Sequence, residues 1–517
     1  MTYDKVLIID FGSQLTQLIA KKIRSIGIYS DIKIFTTPIL EIYNLKPKAI
    51  ILSGGSESVT DPQAPQIPKD IYRLNVPILG ICYGQQALCK DFGGSVSNIN
   101  SRSYGPTQLK ILQESALFQD NWKPGNMYKV WMSHGDCINR LPSSFKVIAK
   151  TDNAPYAAIA HKSKNIFGIQ FHPEASDTSG GIKLIDNFLT KIANCRKNWK
   201  VNSFINDKTT EIRNVLGNKK VLLGLSGGVD STVVAALLKA AIGQKLHCVF
   251  IDNGLLRKDE VYEVTNNLNN ILRLQVYNIN AKNNFLSALK GVSDPESKRK
   301  IVGKVFIEVF HKVIKKIGNV EYLAQGTIYP DVIESSVTSI GKKTVIKSHH
   351  NVGGLPNNMG GLKLIEPIKN LFKDEVRELG KKFNLPDTII NRHPFPGPGL
   401  AIRVIGEVTE EKCNILRAAD NIFISYLKKN GFYYKIWQAY AALLPIKTVG
   451  VMGDARTYQY TCVIRAVHSI DGMTADYVHL PHEALSNISK EIVNKVNGIN
   501  RVLYDITSKP PGTIEME

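Results

Sequence analysis

Cys82 lies in the run Gly80-Ile81-Cys82-Tyr83-Gly84-Gln85-Gln86, between an apolar strand-like stretch and the opening of a helix. Gly-x-Cys-x-Gly is the nucleophile-elbow pattern with a thiol in place of a hydroxyl. Its glycines permit the sharp turn that exposes the side chain, and a helix N-terminus favours the thiolate. Downstream, the apolar run 166–171 ends in His172-Pro173-Glu174. There an imidazole can serve as general base to the thiol, and a carboxylate can orient it and stabilise its charged form. A buried structural cysteine and a structural histidine are the bland alternatives, but the three residues together favour nucleophilic chemistry. A second cluster, Ser226-Gly227-Gly228-Val229-Asp230-Ser231, stands between a strand-like stretch at 221–225 and a helix-like stretch at 232–238. Strand, small-residue turn and helix gather free N–H groups and the positive end of a helix dipole around one point, which suits phosphate. The lysine of a Walker A loop is absent. Asp230 stands at the helix entry instead, where an acid makes sense if it helps hold Mg²⁺. The alternative is an ordinary serine/glycine turn with a helix cap.

The elements that must position these groups are legible as apolar runs. Strands are expected at 6–10, 49–52, 76–81 and 166–171, with a helical pattern at 14–26, so residues 1–195 read as an α/β domain. The polar stretch 195–202 reads as a linker. Residues 196–394 read as a second α/β domain, with strands at 220–225, 246–252 and 321–325. The breaker-rich run Pro394-Phe395-Pro396-Gly397-Pro398-Gly399 marks the next boundary, and 395–517 mixes helix with β character. In that last part Ile415, Leu416, Ala419, Ile422, Phe423, Tyr426 and Leu427 share one helical face, which fits a core or a subunit contact. The expected fold class is therefore α/β: two doubly wound domains followed by a smaller α+β domain.

Bulk properties narrow the function classes. The 517 residues suffice for two to four domains, and 43 % hydrophobic with 21 % charged residues is the balance of a globular protein. No signal-peptide pattern and no uninterrupted apolar stretch of about 18 residues is visible, so a membrane is not expected and a cytoplasmic location is. Seven cysteines without a Cys-x-x-Cys pair argue against a disulfide framework or a zinc ribbon. The net charge of +20 raises nucleic acid as a partner. The basic residues are scattered, however, with only short clusters at 298–300 and 342–347, and anionic nucleotide substrates would favour the same positive field. Nucleic acid is not expected as the main partner.

Two resemblances sharpen this reading. The loop at 226–231 resembles that of the ATP pyrophosphatases, which implies ATP cleavage to AMP and pyrophosphate. Residues 1–195, including Ile9-Asp10-Phe11-Gly12-Ser13-Gln14 and Leu52-Ser53-Gly54-Gly55, resemble the class I glutamine amidotransferases. That resemblance implies a glutamyl thioester on Cys82 with His172 as acid/base, Glu174 behind it, and an oxyanion hole near Gly54, Gly55 and Tyr83. An ammonia source joined to an AMP-forming site implies a two-step amination through an adenylylated acceptor. Further segments run through the rest of the chain. Among them are Asp252-Asn253-Gly254, Lys298-Arg299-Lys300, Gln325-Gly326-Thr327, Pro330-Asp331-Val332, Phe372-Lys373-Asp374, Gly453-Asp454-Ala455-Arg456 and the terminal Lys509-Pro510-Pro511-Gly512-Thr513-Ile514-Glu515. In this order they are similar to the glutamine-hydrolysing GMP synthases.

That family implies xanthosine 5′-monophosphate (XMP) as acceptor, ATP with Mg²⁺ as co-substrate, no tightly bound organic cofactor, and a homodimer formed through the third domain. It also implies an ATP site of Ser226, Gly227, Gly228, Val229, Asp230, Ser231, Asp252, Gly326, Asp331 and Lys373, with Asp230 on the metal. For XMP it implies Arg299, Lys509, Ile514 and Glu515. Plainer readings stand beside these: Arg299 on a solvated helix face, Lys509 and Glu515 in a frayed tail, Asp331 as a helix cap, and Lys373 merely exposed. Met516 departs from the family's usual tryptophan. Adjacent His349 and His350 lack a metal-ligand spacing, and Gly353-Gly354 fits a mobile lid or an ordinary turn. The competing functions are another glutamine-dependent AMP-forming ligase, such as an NAD synthetase, and a tRNA-modifying pyrophosphatase. The latter would need sulfur-transfer cysteines near the loop, where Cys248 stands alone in a strand. A non-catalytic nucleic-acid binder would leave Cys82, His172 and Glu174 unexplained.

Overall fold

A computed structural model describes residues 3–274, 276–337, 362–469, 472 and 474–517. His349, His350, Gly353, Gly354 and the basic cluster 342–347 lie outside the described residues. The chain divides into two compact units, one built on the residues up to Ser203 with 332–337, the other on residues 204–331 and those from 362 onward. Both are α/β, and the second carries an α+β region at its C-terminal end.

In the first unit, nine strands run in chain order as β1 (Lys5–Phe11), β2 (Tyr29–Ile34), β3 (Ala49–Gly55), β4 (Ile78–Ile81), β5 (Ser95–Ile111), β6 (Met127–Arg140), β7 (Phe145–Lys150), β8 (Ala158–His161) and β9 (Ile166–Ile169). They form one sheet in the order β2-β1-β3-β4-β9-β8-β7-β5-β6. The first five positions of that order are parallel, and the pairs from β9 to β6 are antiparallel. Val6, Ile8, Ile50 and Ile51 are fully buried. Near-continuous apolar runs of this kind are what a parallel strand covered on both faces requires. The decisive register is between β4 and β9, where Gly80 pairs with Gly168 and Ile81 with Ile169. Whatever follows these two strands must emerge side by side.

The stretch 195–202, expected as a linker, is instead held on this unit. Trp199 is buried, donates its backbone N–H to Gly27 O at 2.9 Å, and packs edge-on against Tyr3 and Tyr29. Arg196 pairs with Asp4 at 2.9 Å. A helix begins at Val201, within the expected linker.

The second unit holds a parallel sheet of β10 (Lys220–Leu225), β11 (Leu246–Asp252), β12 (Val276–Asn280), β13 (Val320–Ala324) and β14 (Lys363–Ile365), ordered β12-β11-β10-β13-β14. Strand order reverses between β10 and β13, which opens a crevice at their carboxyl ends. Farther along come β15 (Gln438–Met452), β16 (Ala455–His468), β17 (Asp476–Tyr477) and β18 (Ile499–Tyr504), all but β16 itself pairing with β16. The amphipathic face expected around 415–427 lies in the helix Glu410–Lys429, which buries Leu416, Ala419, Phe423 and Leu427. One hydrophobic core runs from Leu222 and Val249 through Phe285 and Leu400 to Phe423, Cys462 and Ile499. Among the described residues no helix is long and apolar enough to cross a membrane. All seven cysteines are free and buried.

Candidate active site

Cys82 caps the helix Tyr83–Asp91 with φ 52° and ψ −107°, a backbone conformation that L-residues rarely adopt. Its surroundings leave little choice. A Cβ on Gly80 would stand 2.7 Å from the Gln85 nitrogen, and one on Gly84 would stand 2.4 Å from Leu52 O. The helix can start so close to the sheet only because both positions lack side chains. Cys82 N donates to Ile169 O at 2.7 Å, which fixes the elbow to the end of β9. Gln170 Nε2 then donates to Cys82 Sγ at 3.6 Å, and the thiol donates to Ser133 O at 3.5 Å.

His172 follows two residues later, its N–H bonded to Trp131 O at 2.9 Å. Its Nδ1 meets Glu174 Oε1 at 2.7 Å, with both side chains almost fully buried. Burial by itself disfavours the imidazolium. The Glu174 charge and hydrogen bonds with Cys82 and Glu174 outweigh it, and the pKa of His172 stands well above the ordinary histidine value. The end of β3 closes the other side. A Cβ on Gly54 would lie 3.3 Å from His172 Cε1, and one on Gly55 3.0 Å from the Tyr83 ring. Cys82, His172, Glu174, Gly54, Gly55 and Tyr83 therefore form one cluster. Gln170, which touches the sulfur, carries no motif of its own in the sequence. Its only signal is its place on the run leading to His172.

In the second unit, β10 ends at Leu225 and the helix Val229–Ile242 begins three residues after Ser226. Gly227 takes φ 71°, and Ser226 and Ser231 meet through their hydroxyls at 3.1 Å. Gly326, after β13, packs so close that its Cβ would stand 3.2 Å from Ser231 N and 3.3 Å from the Asp230 side chain. Lys373 opens the helix Lys373–Lys382 and places Nζ 2.6 Å from Asp230 Oδ2. It is a partner of the loop, not merely an exposed lysine. Asp252 lies at the carboxyl end of β11, where it accepts from Gly254 N at 3.0 Å and pairs with Lys282 at 3.3 Å. Asp331 accepts from Ile328 N at 3.0 Å in the first turn of the helix Tyr329–Val337, as a cap does.

Three family models match in succession: glutamine amidotransferase class-I over residues 7–192, NAD synthase over 200–303, and GMP synthase C terminal domain over 425–516. Over 99 % of its length the chain is 52 % identical to a Bartonella henselae protein described as GMP synthase (glutamine-hydrolysing). It is 54 % identical to a Thermosipho africanus protein of the same description, and 52 % to one from Brachyspira hyodysenteriae. Each of these three is itself covered over 99 % of its length. The chain belongs to the glutamine-hydrolysing GMP synthase family.

Among the positions expected for XMP in this GMP synthase family member, the terminal segment is docked rather than frayed. Glu515 receives two bonds from Arg403, at 2.8 and 3.1 Å, and one from Gln438 at 2.5 Å. Ile514 is buried beside Val467 and Ala475, and its carbonyl accepts from Tyr440 and Arg465 at 2.8 and 3.0 Å. Lys509 Nζ donates to Gly472 O at 2.6 Å. Arg299 is half-buried and donates to Glu517 O at 2.6 Å, so it does not lie on a purely solvated face. Its neighbour Lys298 is fully buried on Ala401 O, Val404 O and the Glu517 carboxylate. Nothing in the sequence discloses these partners: Arg403 stands alone in an apolar run, and Lys298 lies in the basic cluster 298–300, where a solvated face is the ordinary expectation.

Among the described residues no three His, Cys, Asp or Glu side chains gather around a common point that could hold a metal. Asp230 nevertheless fits a share of one. Its Oδ1 is buried and has no hydrogen-bond partner, while Oδ2 is held by Lys373. A magnesium ion takes one or two carboxylates and completes its shell with phosphate oxygens and water.

Proposed function

We infer that this protein hydrolyses glutamine to ammonia and uses ATP to aminate XMP to GMP, releasing AMP and pyrophosphate. The observation that carries this reading is the joining, in one chain, of a thiol–imidazole–carboxylate cluster and a separate strand–glycine–helix phosphate cradle. Full-length likeness to proteins described as glutamine-hydrolysing GMP synthases selects the acceptor. The tRNA-modifying alternative is not favoured, and neither is another glutamine-dependent ligase.

In the first unit the Cys82 thiolate attacks the glutamine carboxamide carbon, forming an S–C bond. Backbone N–H groups near Gly54, Gly55 and Tyr83 stabilise the resulting oxyanion. His172, held charged by Glu174, gives its proton to the departing nitrogen as the C–N bond breaks and ammonia leaves. Water deprotonated by His172 then attacks the thioester, and glutamate and the thiolate are restored. In the second unit the loop 226–231 binds the ATP phosphates, and Lys373, Asp252, Gly326 and Asp331 are assigned to the same site. Magnesium held by Asp230 would offset phosphate charge when bound. The XMP oxygen attacks the α-phosphorus and pyrophosphate leaves. Ammonia then displaces AMP at the activated carbon. Arg299, Lys509, Ile514 and Glu515 are assigned to XMP, the cations suiting its phosphate.

The same reading makes residues 1–195 the amidotransferase domain, 196–394 the pyrophosphatase domain, and 395–517 a dimerisation and XMP-binding domain in a cytoplasmic homodimer. Exposed Val449, Val451 and Tyr458 on the β15–β16 hairpin support a subunit contact there. The test is direct. Purified protein with XMP, ATP, Mg²⁺ and glutamine should form GMP with equimolar AMP and pyrophosphate. ADP as the nucleotide product, or turnover independent of XMP, would sink the assignment.

A further inference from the structure

We propose that Arg392 is a positioning residue of the ATP half-reaction, clamping the phosphate loop through the carbonyl of Gly227. The guanidinium reaches the loop across 165 residues of sequence, donating Nη1–H to Gly227 O at 2.9 Å. A Cβ on Gly227 would stand 2.7 Å from that nitrogen and 2.5 Å from Val264 Cγ2, so the absence of a side chain at this glycine is what admits the contact. In a trans peptide the carbonyl of one residue and the N–H of the next point in opposite directions. Fixing Gly227 O therefore fixes the direction of Gly228 N–H, one of the donors that a phosphate would meet at the helix entry. Among the described residues that N–H otherwise has only a 3.3 Å contact with Ser226 Oγ to hold it.

The clamp is braced on both sides. Arg392 Nη2 bonds Glu260 Oε1, and Glu260 is almost wholly buried, with its Oε2 accepting from Arg257 N at 2.9 Å. This carboxylate balances the guanidinium and holds its second edge, a two-point grip that suits the planar fork of arginine and not an ammonium. From behind, His393 anchors the backbone. Its N–H donates to Tyr433 OH at 3.0 Å, and its ring stacks on Tyr433 at 3.8 Å between centroids. Ala439 N donates to His393 Nδ1 at 3.2 Å, which leaves Nε2 as the donor to Tyr433 O at 2.9 Å. The clamp thus ties the loop to the start of β15.

The proposal rests on the assignment of 226–231 as the ATP loop, so the experiment carries an arm for each. In the full-length protein, Arg392→Gln, Arg392→Lys, Glu260→Gln and Asp230→Asn are compared in the ammonia-driven reaction and in equilibrium binding of ATP and of adenosine. Arg392→Gln should raise KM for ATP by about tenfold to a hundredfold, the worth of a charge-assisted hydrogen bond. Adenosine binding and KM for XMP should stay within about twofold, because an orientation defect in the loop concerns only phosphate. Arg392→Lys should rescue only in part, and Glu260→Gln should shift ATP in the same direction. An unchanged KM for ATP, or an equal loss for ATP, adenosine and XMP, would overturn the clamp. Should Arg392→Gln not fold, the Lys and Glu260 variants decide by the same criteria. If Asp230→Asn leaves ATP binding untouched, it is the loop assignment that fails; if it weakens ATP while the Arg392 and Glu260 variants do not, only the clamp fails.

Discussion

His172 and His393 carry the same side chain into buried sites and meet opposite fates. Burial opposes charge on both, but His172 faces Glu174 and Cys82 and its pKa is raised, whereas His393, with neutral hydrogen-bond partners among the described residues and the Arg257 charge nearby, is pushed down to about 4. Replacing Glu174 with Gln should return the His172 titration toward the ordinary range, as read by NMR. It should also slow glutamine hydrolysis about a hundredfold, with the ammonia-driven reaction unaffected. Cys82→Ala should abolish the glutamine-dependent reaction and spare the ammonia-dependent one; loss of both in a folded variant would refute separable sites. For His393 the folded state favours the neutral ring, so between pH 6.5 and about 4 the unfolded chain binds more protons. Its contribution, about 3 kcal/mol at full strength, is present above pH 6.5 and lost as pH falls toward 4. Thermal unfolding midpoints should fall over that range, and His393→Asn should flatten the slope.

Elements show what a sequence can and cannot disclose about its own site. The parallel strands β1, β3, β10 and β11 are readable because burial on both faces demands apolar runs, and the expected ranges differ from the observed ones by a few residues at most. The long antiparallel strands β5 and β6 are not legible in the sequence, because partial exposure leaves polar residues throughout them. Glycine patterns disclose the two elbows, since each needs a backbone that a side chain would block. Pairing of β4 with β9 is not legible, and neither is Arg392, whose role depends on a contact made by topology alone. The strictness of the elbow can be measured. Gly84→Ala would drive a methyl into Leu52 O, a backbone atom that cannot rotate away. Its expected cost is about 2 kcal/mol of stability, with a matching loss of glutaminase, measurable by denaturant titration.

At the scale of the whole molecule, the β15–β16 hairpin leaves Val451 75 % exposed and Tyr458 66 % exposed, an arrangement that suits association of copies. If the proposed homodimer forms through this hairpin, Val451→Glu should shift it to monomers in sedimentation at micromolar concentration; an unchanged sedimentation coefficient would remove the hairpin from the contact. Lys298 has another consequence. Its ammonium is sealed in the core, and the carboxylate that balances it, on Glu517, comes 219 residues later. The sheet of the first unit closes within residues 5–169, so it can form while the rest of the chain is still being synthesised. Until Glu517 is available to pair with it, the second unit keeps a solvated lysine where its core will be. Closure of the nucleotide half therefore waits on Glu517, and ribosomes stalled between residues 203 and 517 should carry an assembled amidotransferase sheet and an unclosed ATP unit.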